Sequence, residues 1–203
     1  MVISNDPTLP AAAPFLNLRH KMAVLVVDDM KFSCAFIRQV LSNQGYEDIR
    51  IANSATHALE TLKERPADVV LADWMMPEMD GLQLAQHIRQ MDMENHHYTS
   101  IILLTAKEGV APLIEAFEQG VDDYLTKPPD KYELAARVYA AGRVANLQNQ
   151  LQYRLKTLHS ELEHRSTIDP VTGLSNHRDL TKRLQELLQL TVTRGGATCC
   201  AVA

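Results

Sequence analysis

Five short runs of apolar and β-branched residues recur along the chain: AVLVV at 23–27, DIRIA at 48–52, DVVLA at 68–72, SIILLT at 100–105 and DDYLT at 122–126. Each is followed by a segment whose apolar residues return every three or four positions, the spacing of an amphipathic helix. The pattern predicts five βα units. The first, third and fourth runs are almost continuously apolar, as strands must be when helices cover both faces of their sheet. The expected fold class is α/β, with a five-stranded parallel, doubly wound sheet. Such sheets bind ligands beyond the carboxyl ends of their strands.

Those ends carry an unusual set of groups. Asp28 and Asp29 close the first run, Asp73 the third, Thr105 followed by Ala106 the fourth, and Tyr124 then Lys127 the fifth. Taken singly, each has an ordinary explanation: a strand-end Asp caps the next helix, a Thr satisfies a turn, a Lys reaches solvent. Taken together they do not, because three carboxylates on one rim repel and raise one another's pKa unless a cation lies among them. Hard oxygen donors in an incomplete shell suit Mg²⁺, which keeps waters and shares its remaining positions with a phosphate. The rim reads as a Mg²⁺-assisted phosphoryl site in which Lys127 supplies a countercharge. Pro128 fixes the backbone just after that lysine, a cis bond being one way to bend the loop toward the site. Trp74 is expected at the rim.

Composition narrows the function classes. At 203 residues the chain holds one full domain and part of another. A net charge of −5, from 25 acidic and 20 basic residues with no Lys/Arg run, disfavours direct nucleic-acid binding. Cys34, Cys199 and Cys200 form no disulfide framework and read as small buried hydrophobes, which fits a reducing, cytoplasmic setting. No run of 18 apolar residues is present, and the first 20 residues lack a basic stretch before their short apolar segment. They read as a soluble leader, with no membrane association. His96 and His97, adjacent in a polar loop, point apart and read as solvated rather than metal-binding.

From Asp130 a helix is expected to start in capping-box fashion with Glu133, its apolar face at Leu134, Val138, Ala141 and Ala145. No proline interrupts it before Asp169-Pro170, and Gly142 is its one weak point, worth about 1 kcal/mol. Its distal half carries Leu151, Leu155, Leu158 and Leu162 at steps of four, three and four, a coiled-coil seam that Arg165 interrupts. Gln148 at an earlier seam position and Leu147 just out of register indicate a stutter. Dimerisation through this stalk is preferred over a helix lying on a neighbouring domain. Beyond it, Gly173 permits a tight turn before an amphipathic helix with Leu180, Leu184, Leu187 and Leu188 on one face.

The motifs VVDD, LADWMMPEMDG, LLTA and YLTKP, in this order across about residues 20–145, resemble the receiver domain of two-component response regulators. The resemblance implies a flavodoxin-like fold with Asp73 as phosphoacceptor. It also implies that Asp28, Asp29, Asp73 and the Met75 backbone carbonyl hold Mg²⁺. Thr105 and Tyr124 match the family's switch pair, and Lys127 its phosphate-binding lysine. The implied partner is a cognate sensor histidine kinase or phosphotransfer protein. DPVTGLSNHRDL resembles the opening of a GGDEF (diguanylate cyclase) domain, with Val171 in place of Leu and His177 in place of Arg. Gly195-Gly196 are followed by Ala197, Thr198 and Cys199 and do not form a GG(D/E)EF signature, so these residues alone cannot make cyclic di-GMP. The expected organisation is a flexible leader at 1–20, a receiver at 21–145, and a helical, homodimer-forming linker at 146–168. The truncated start of a partial α/β output domain follows at 169–203. A stand-alone receiver with a stalk, acting as a phosphorylation-controlled interaction protein, is the alternative. A DNA-binding output is disfavoured, because the final helix offers only Arg178, Lys182 and Arg183.

Overall fold

A computed structural model of the protein describes residues 18–106 and 110–165, without the side chains of 110–113 and 163–165, and the single positions Gly173, Thr181 and Gln185. Expectations for the leader before residue 18, for the cyclase-like opening and for Cys199 and Cys200 lie outside the described residues. The chain forms two compact units, Met1–Gln152 and Tyr153–Ala203.

In the first unit the strands are β1 (Ala23–Val27), β2 (Asp48–Ala52), β3 (Val69–Asp73), β4 (Ser100–Thr105) and β5 (Asp123–Thr126). All pair in parallel, in the order β2-β1-β3-β4-β5. Strand order reverses between β1 and β3, which defines the doubly wound, flavodoxin-like sheet. The helices are α1 (Lys31–Asn43), α2 (Ala55–Glu64), α3 (Gly81–Asn95), α4 (Val110–Glu118) and α5 (Lys131–Arg165). On one face Leu25, Val27, Val70, Ala72 and Leu103 pack with Ala58 and Leu62 of α2 and Leu84 and Ile88 of α3. On the other, Val24, Val26, Val69, Leu71 and Leu104 pack with Ile37 and Leu41 of α1 and Leu134 and Val138 of α5. Burial of both faces is why these strands read as unbroken apolar runs.

Local chemistry sets the helix starts. The Asp80 side chain accepts from the Gln83 amide while the Gln83 side chain accepts from the Asp80 amide, a complete capping box that opens α3. Asp130 accepts from the amides of Tyr132 and Glu133 and opens α5, whereas the Glu133 side chain turns to Arg137. Gly142 is more than a weak point in α5. A Cβ there would stand 2.4 Å from Met22 Sδ and 2.7 Å from its Cε. Met22 is 1% exposed, so the helix is notched to seat it.

A polar network ties the amino-terminal edge of the sheet together. Arg89 donates to Asp92 (2.9 Å), Asp122 (2.7 Å) and the carbonyls of Thr99 and Gly120. The Tyr98 hydroxyl donates to Asp122 at 2.5 Å. The Asn149 side chain spans Tyr98, accepting from its amide at 2.7 Å and donating to its carbonyl at 3.0 Å, which fastens α5 to the start of β4. His97 departs from expectation. It is half-buried, with Nε2 at 3.1 Å from the Ala67 carbonyl, rather than solvated.

In the second unit Tyr153, Leu155, Leu158 and Leu162 of α5 are exposed. Gly173 has φ 68°, the left-handed conformation its expected turn needs, and Thr181 and Gln185 are helical and exposed. Among the described residues no helix is long and apolar enough to cross a membrane.

Burial, followed by the hydrogen bond to Asp122, pushes the Tyr98 phenol from about 10 up to about 12. A raised folded-state value means the unfolded chain loses this proton first. Stability is thus full below pH ~10 and declines as pH rises toward ~12. Urea unfolding across this range is expected to show a shallower alkaline decline for Tyr98→Phe than for the wild type, by up to one proton's slope.

Candidate functional site

The parallel register brings the strand ends side by side: Val27 pairs with Ala72, Asp73 with Leu104, and Thr105 with Thr126. Asp28 therefore follows β1, Asp73 closes β3, Thr105 closes β4 and Lys127 follows β5, all on one rim. β3 runs one residue later than its apolar run predicts, which makes Asp73 part of the sheet. Asp28 and Asp73 are buried, whereas Asp29 is exposed.

Lys127 joins the set. Its ammonium lies 2.7 Å from Asp73 Oδ2 and 3.0 Å from Asp28 Oδ2. Burial works against this charge, but the hydrogen bonds to Asp73 and Asp28 and their negative charges outweigh it and raise the Lys127 pKa. The Lys127 amide donates to the Thr105 carbonyl at 2.8 Å, which ties the loop to β4, and the Lys127–Pro128 bond is cis.

The remaining donors to Asp28 are local. The Met30 amide donates to Oδ1 at 2.8 Å and the Ser33 hydroxyl to Oδ2 at 2.6 Å. Ser33 escaped the sequence reading, since a serine in the first turn of a helix is commonplace. Its one signal is its place five residues after Asp28. Cys34, buried below, donates its thiol to the Asp28 carbonyl at 3.4 Å. Burial and then the Asp28 charge push that thiol's pKa up, in keeping with a small core residue.

Asp73 Oδ1 accepts from the Met75 amide at 3.2 Å. Thr105 is buried, while Tyr124 is half-buried and meets Phe117 edge-on at 6.2 Å between centroids. Trp74 departs from expectation. It is 1% exposed and belongs to the core cluster of α2 and α3, not to the rim. The Trp74 amide donates to the Leu104 carbonyl and its own carbonyl accepts from the Gly81 amide, which draws the residue after Asp73 inward beneath α3. Gly81 makes this crossing possible, because a Cβ there would stand 2.5 Å from the Asp73 carbonyl oxygen and 2.8 Å from Leu103 Cδ2.

The acidic set fits a small divalent cation. Asp28, Asp29 and Asp73 each offer one oxygen, all within 4.8 Å of one another. Around an octahedral Mg²⁺ such oxygens stand about 3.0 Å apart at neighbouring positions and about 4.2 Å apart across the ion, so the set has the size that converging on one such ion requires. Three carboxylates and one ammonium leave a formal charge that a divalent ion cancels.

This fold and rim have known counterparts. The response regulator receiver domain matches residues 24–139, and the chain belongs to that family. It is a receiver of the two-component kind, which implies a phosphodonor partner such as a histidine kinase. Among curated proteins it is 36% identical over 118 residues to the transcriptional regulatory protein YvrH of Bacillus subtilis (strain 168), covering 58% of this chain. It spans 48%, about half, of YvrH's length. It is 33% identical to the response regulator MprA of Mycobacterium avium (strain 104), over 85% of this chain and 68% of MprA. A crystal structure of a two-component system response regulator/GGDEF domain protein superposes with a TM-score of 0.58 at 30% identity, covering 64% of this chain and 53% of that one.

Gly81→Ala is expected to push the Asp73 backbone outward. The fold should lose about 1–3 kcal/mol in chemical denaturation, in line with overpacking of a tight site. Phosphorylation by a small-molecule donor should slow at the same time.

Proposed function

We propose that this chain is the phosphorylation-controlled input half of a response regulator whose output is a GGDEF-type diguanylate cyclase. The observation that carries the receiver chemistry is the Lys127 ammonium shared between Asp28 and Asp73 at 3.0 and 2.7 Å. Asp73 is the nucleophile. One of its carboxylate oxygens bonds to the donor's phosphorus as the bond from phosphorus to the donor, a phosphohistidine nitrogen or acetyl phosphate oxygen, breaks. Asp28, Asp29, Asp73 and the Met75 carbonyl would hold Mg²⁺, which supplies positive charge for the phosphoryl oxygens. Lys127 supplies the remaining countercharge and orients the acceptor carboxylate. Ser33 and the Met30 amide keep Asp28 turned toward the rim.

Signal leaves the site through packing. Once phosphorylated, Asp73 draws the Thr105 hydroxyl toward it, and Tyr124 turns inward from Phe117 to fill the vacated space, a bistable element biased by a local charge change. The domain plan is a leader at 1–20, the receiver at 21–145, a dimerising helix at 146–168 and the start of the output domain from 169. The DPVTGLSNHRDL stretch and the likeness to a response regulator/GGDEF domain protein support the cyclase output. The likeness to YvrH, a transcriptional regulatory protein, favours a second reading in which the output acts on transcription. A coding frame that continues past Ala203 to GG(D/E)EF decides for the cyclase, and one that reaches a basic recognition helix decides for the second.

Incubation with acetyl phosphate and Mg²⁺ is expected to yield an acid-labile phosphate adduct by intact mass spectrometry, absent from Asp73→Asn. Equal adduct in both proteins would refute Asp73 as acceptor.

A further inference from the structure

The exposed apolar residues of α5 do not follow a heptad. Val144, Leu147, Leu151, Leu155, Leu158 and Leu162 are between 48% and 67% exposed. Their steps are three, four, four, three and four, so each of the first three recurs eleven residues later. Eleven residues over three turns is about 3.67 per turn, close enough to the helix's own 3.6 that the stripe stays on one side with little supercoiling. The irregularity at Leu147 is the regular phase of this longer repeat.

The stripe also starts early. Over 144–152 the helix still holds the receiver: Ala145 is buried and Asn149 spans the Tyr98 backbone. Val144 and Leu147 face away from that side and line an open groove of about 600 Å³ with Leu18, Ala140 and Arg143. The same two turns thus carry one face for the receiver and a second, apolar face for something else.

A second copy of the chain is the occupant that fits. Six half-exposed aliphatic side chains amount to on the order of 500 Å² per helix, so pairing two copies removes roughly 1,000 Å², the size at which a specific interface becomes stable. Parallel, in-register pairing sets every stripe residue on its own counterpart. An antiparallel overlay that matches Leu151 with Leu155 and Val144 with Leu162 sets Leu147 on His159 and Leu158 on Gln148.

We infer that two copies pair in parallel and in register along this eleven-residue stripe, beginning at Val144 beside the receiver body rather than at Leu151 below it. This rests on reading the helix as a dimer stalk and specifies its interface. The pairing face begins on a stretch still anchored by Met22 at Gly142 and by Tyr98 at Asn149. Rotation of α5 on its receiver therefore turns the first part of the interface, from Val144 to Leu151, directly.

The test is disulfide trapping in the full chain with Cys34→Ala, Cys199→Ser and Cys200→Ser, with and without beryllofluoride and Mg²⁺. Single cysteines are placed at 144, 147, 148, 151, 155, 158 and 162, and at Tyr153 and Thr157 off the stripe. Cross-linking at 144 and 147 is expected to match that at 155 and 158 and to exceed that at 153 and 157 at least about fivefold, since only seam positions face the partner helix. Trapping at 148 with 144 silent would overturn the eleven-residue interface and leave the dimer standing. Silence of every single-cysteine stripe variant, with trapping in an equimolar mixture of the Leu151→Cys and Leu155→Cys variants, would show antiparallel pairs and overturn it too. A monomer mass by light scattering in both states, with no trapping anywhere, would remove the dimer reading itself.

Discussion

A single ammonium group holds the rim together. Lys127 stands between Asp28 and Asp73 at hydrogen-bond distance from both, so two buried carboxylates from strands β1 and β3 share one cation delivered by the loop after β5. Leaving either charge unpaired at such depth is costly, and that need draws the loop after β5 to the ends of β1 and β3. The lysine also defines the chemistry. It leaves a formal negative charge on the rim that a divalent cation can cancel, so that the ion and the ammonium together can face a phosphoryl group's oxygens.

Other features place that ammonium and its partners. The Lys127 amide bonds to the Thr105 carbonyl, so the loop leaves the sheet beside the residue that would respond to a phosphoryl group. Gly81 lets α3 begin against the Asp73 backbone, and Trp74 fills the space beneath. Ser33 and Met30 hold Asp28 from the first turn of α1 and the loop before it. Any chemistry at Asp73 is coupled to packing, because that carboxylate belongs to a residue of the sheet itself.

Most of the fold and the rim was legible because each strand is a short apolar run that ends in a polar residue, and parallel order brings such ends together. Legibility failed where tertiary packing overrides a local rule. Trp74 reads as rim from its place next to Asp73, but its backbone hydrogen bonds to Leu104 and Gly81 turn it into the core. Gly142 reads as a weak point on propensity, yet the notch it leaves is filled by Met22. Ser33 and the clasp of Asn149 on Tyr98 carry no pattern, since each depends on a partner that only the fold supplies.

The central claim is that Asp28, Asp29, Asp73 and Lys127 act as one electrostatic unit built for a divalent cation and a phosphoryl group. Calorimetric titration with Mg²⁺ tests it most directly. The wild type should bind one ion. Asp28→Asn, Asp29→Asn and Asp73→Asn should each weaken binding about tenfold or more, as loss of a charged ligand does. Lys127→Ala should tighten it by removing the competing cation. Affinities unchanged by the three carboxylate substitutions, or weakened by Lys127→Ala, would contradict the account.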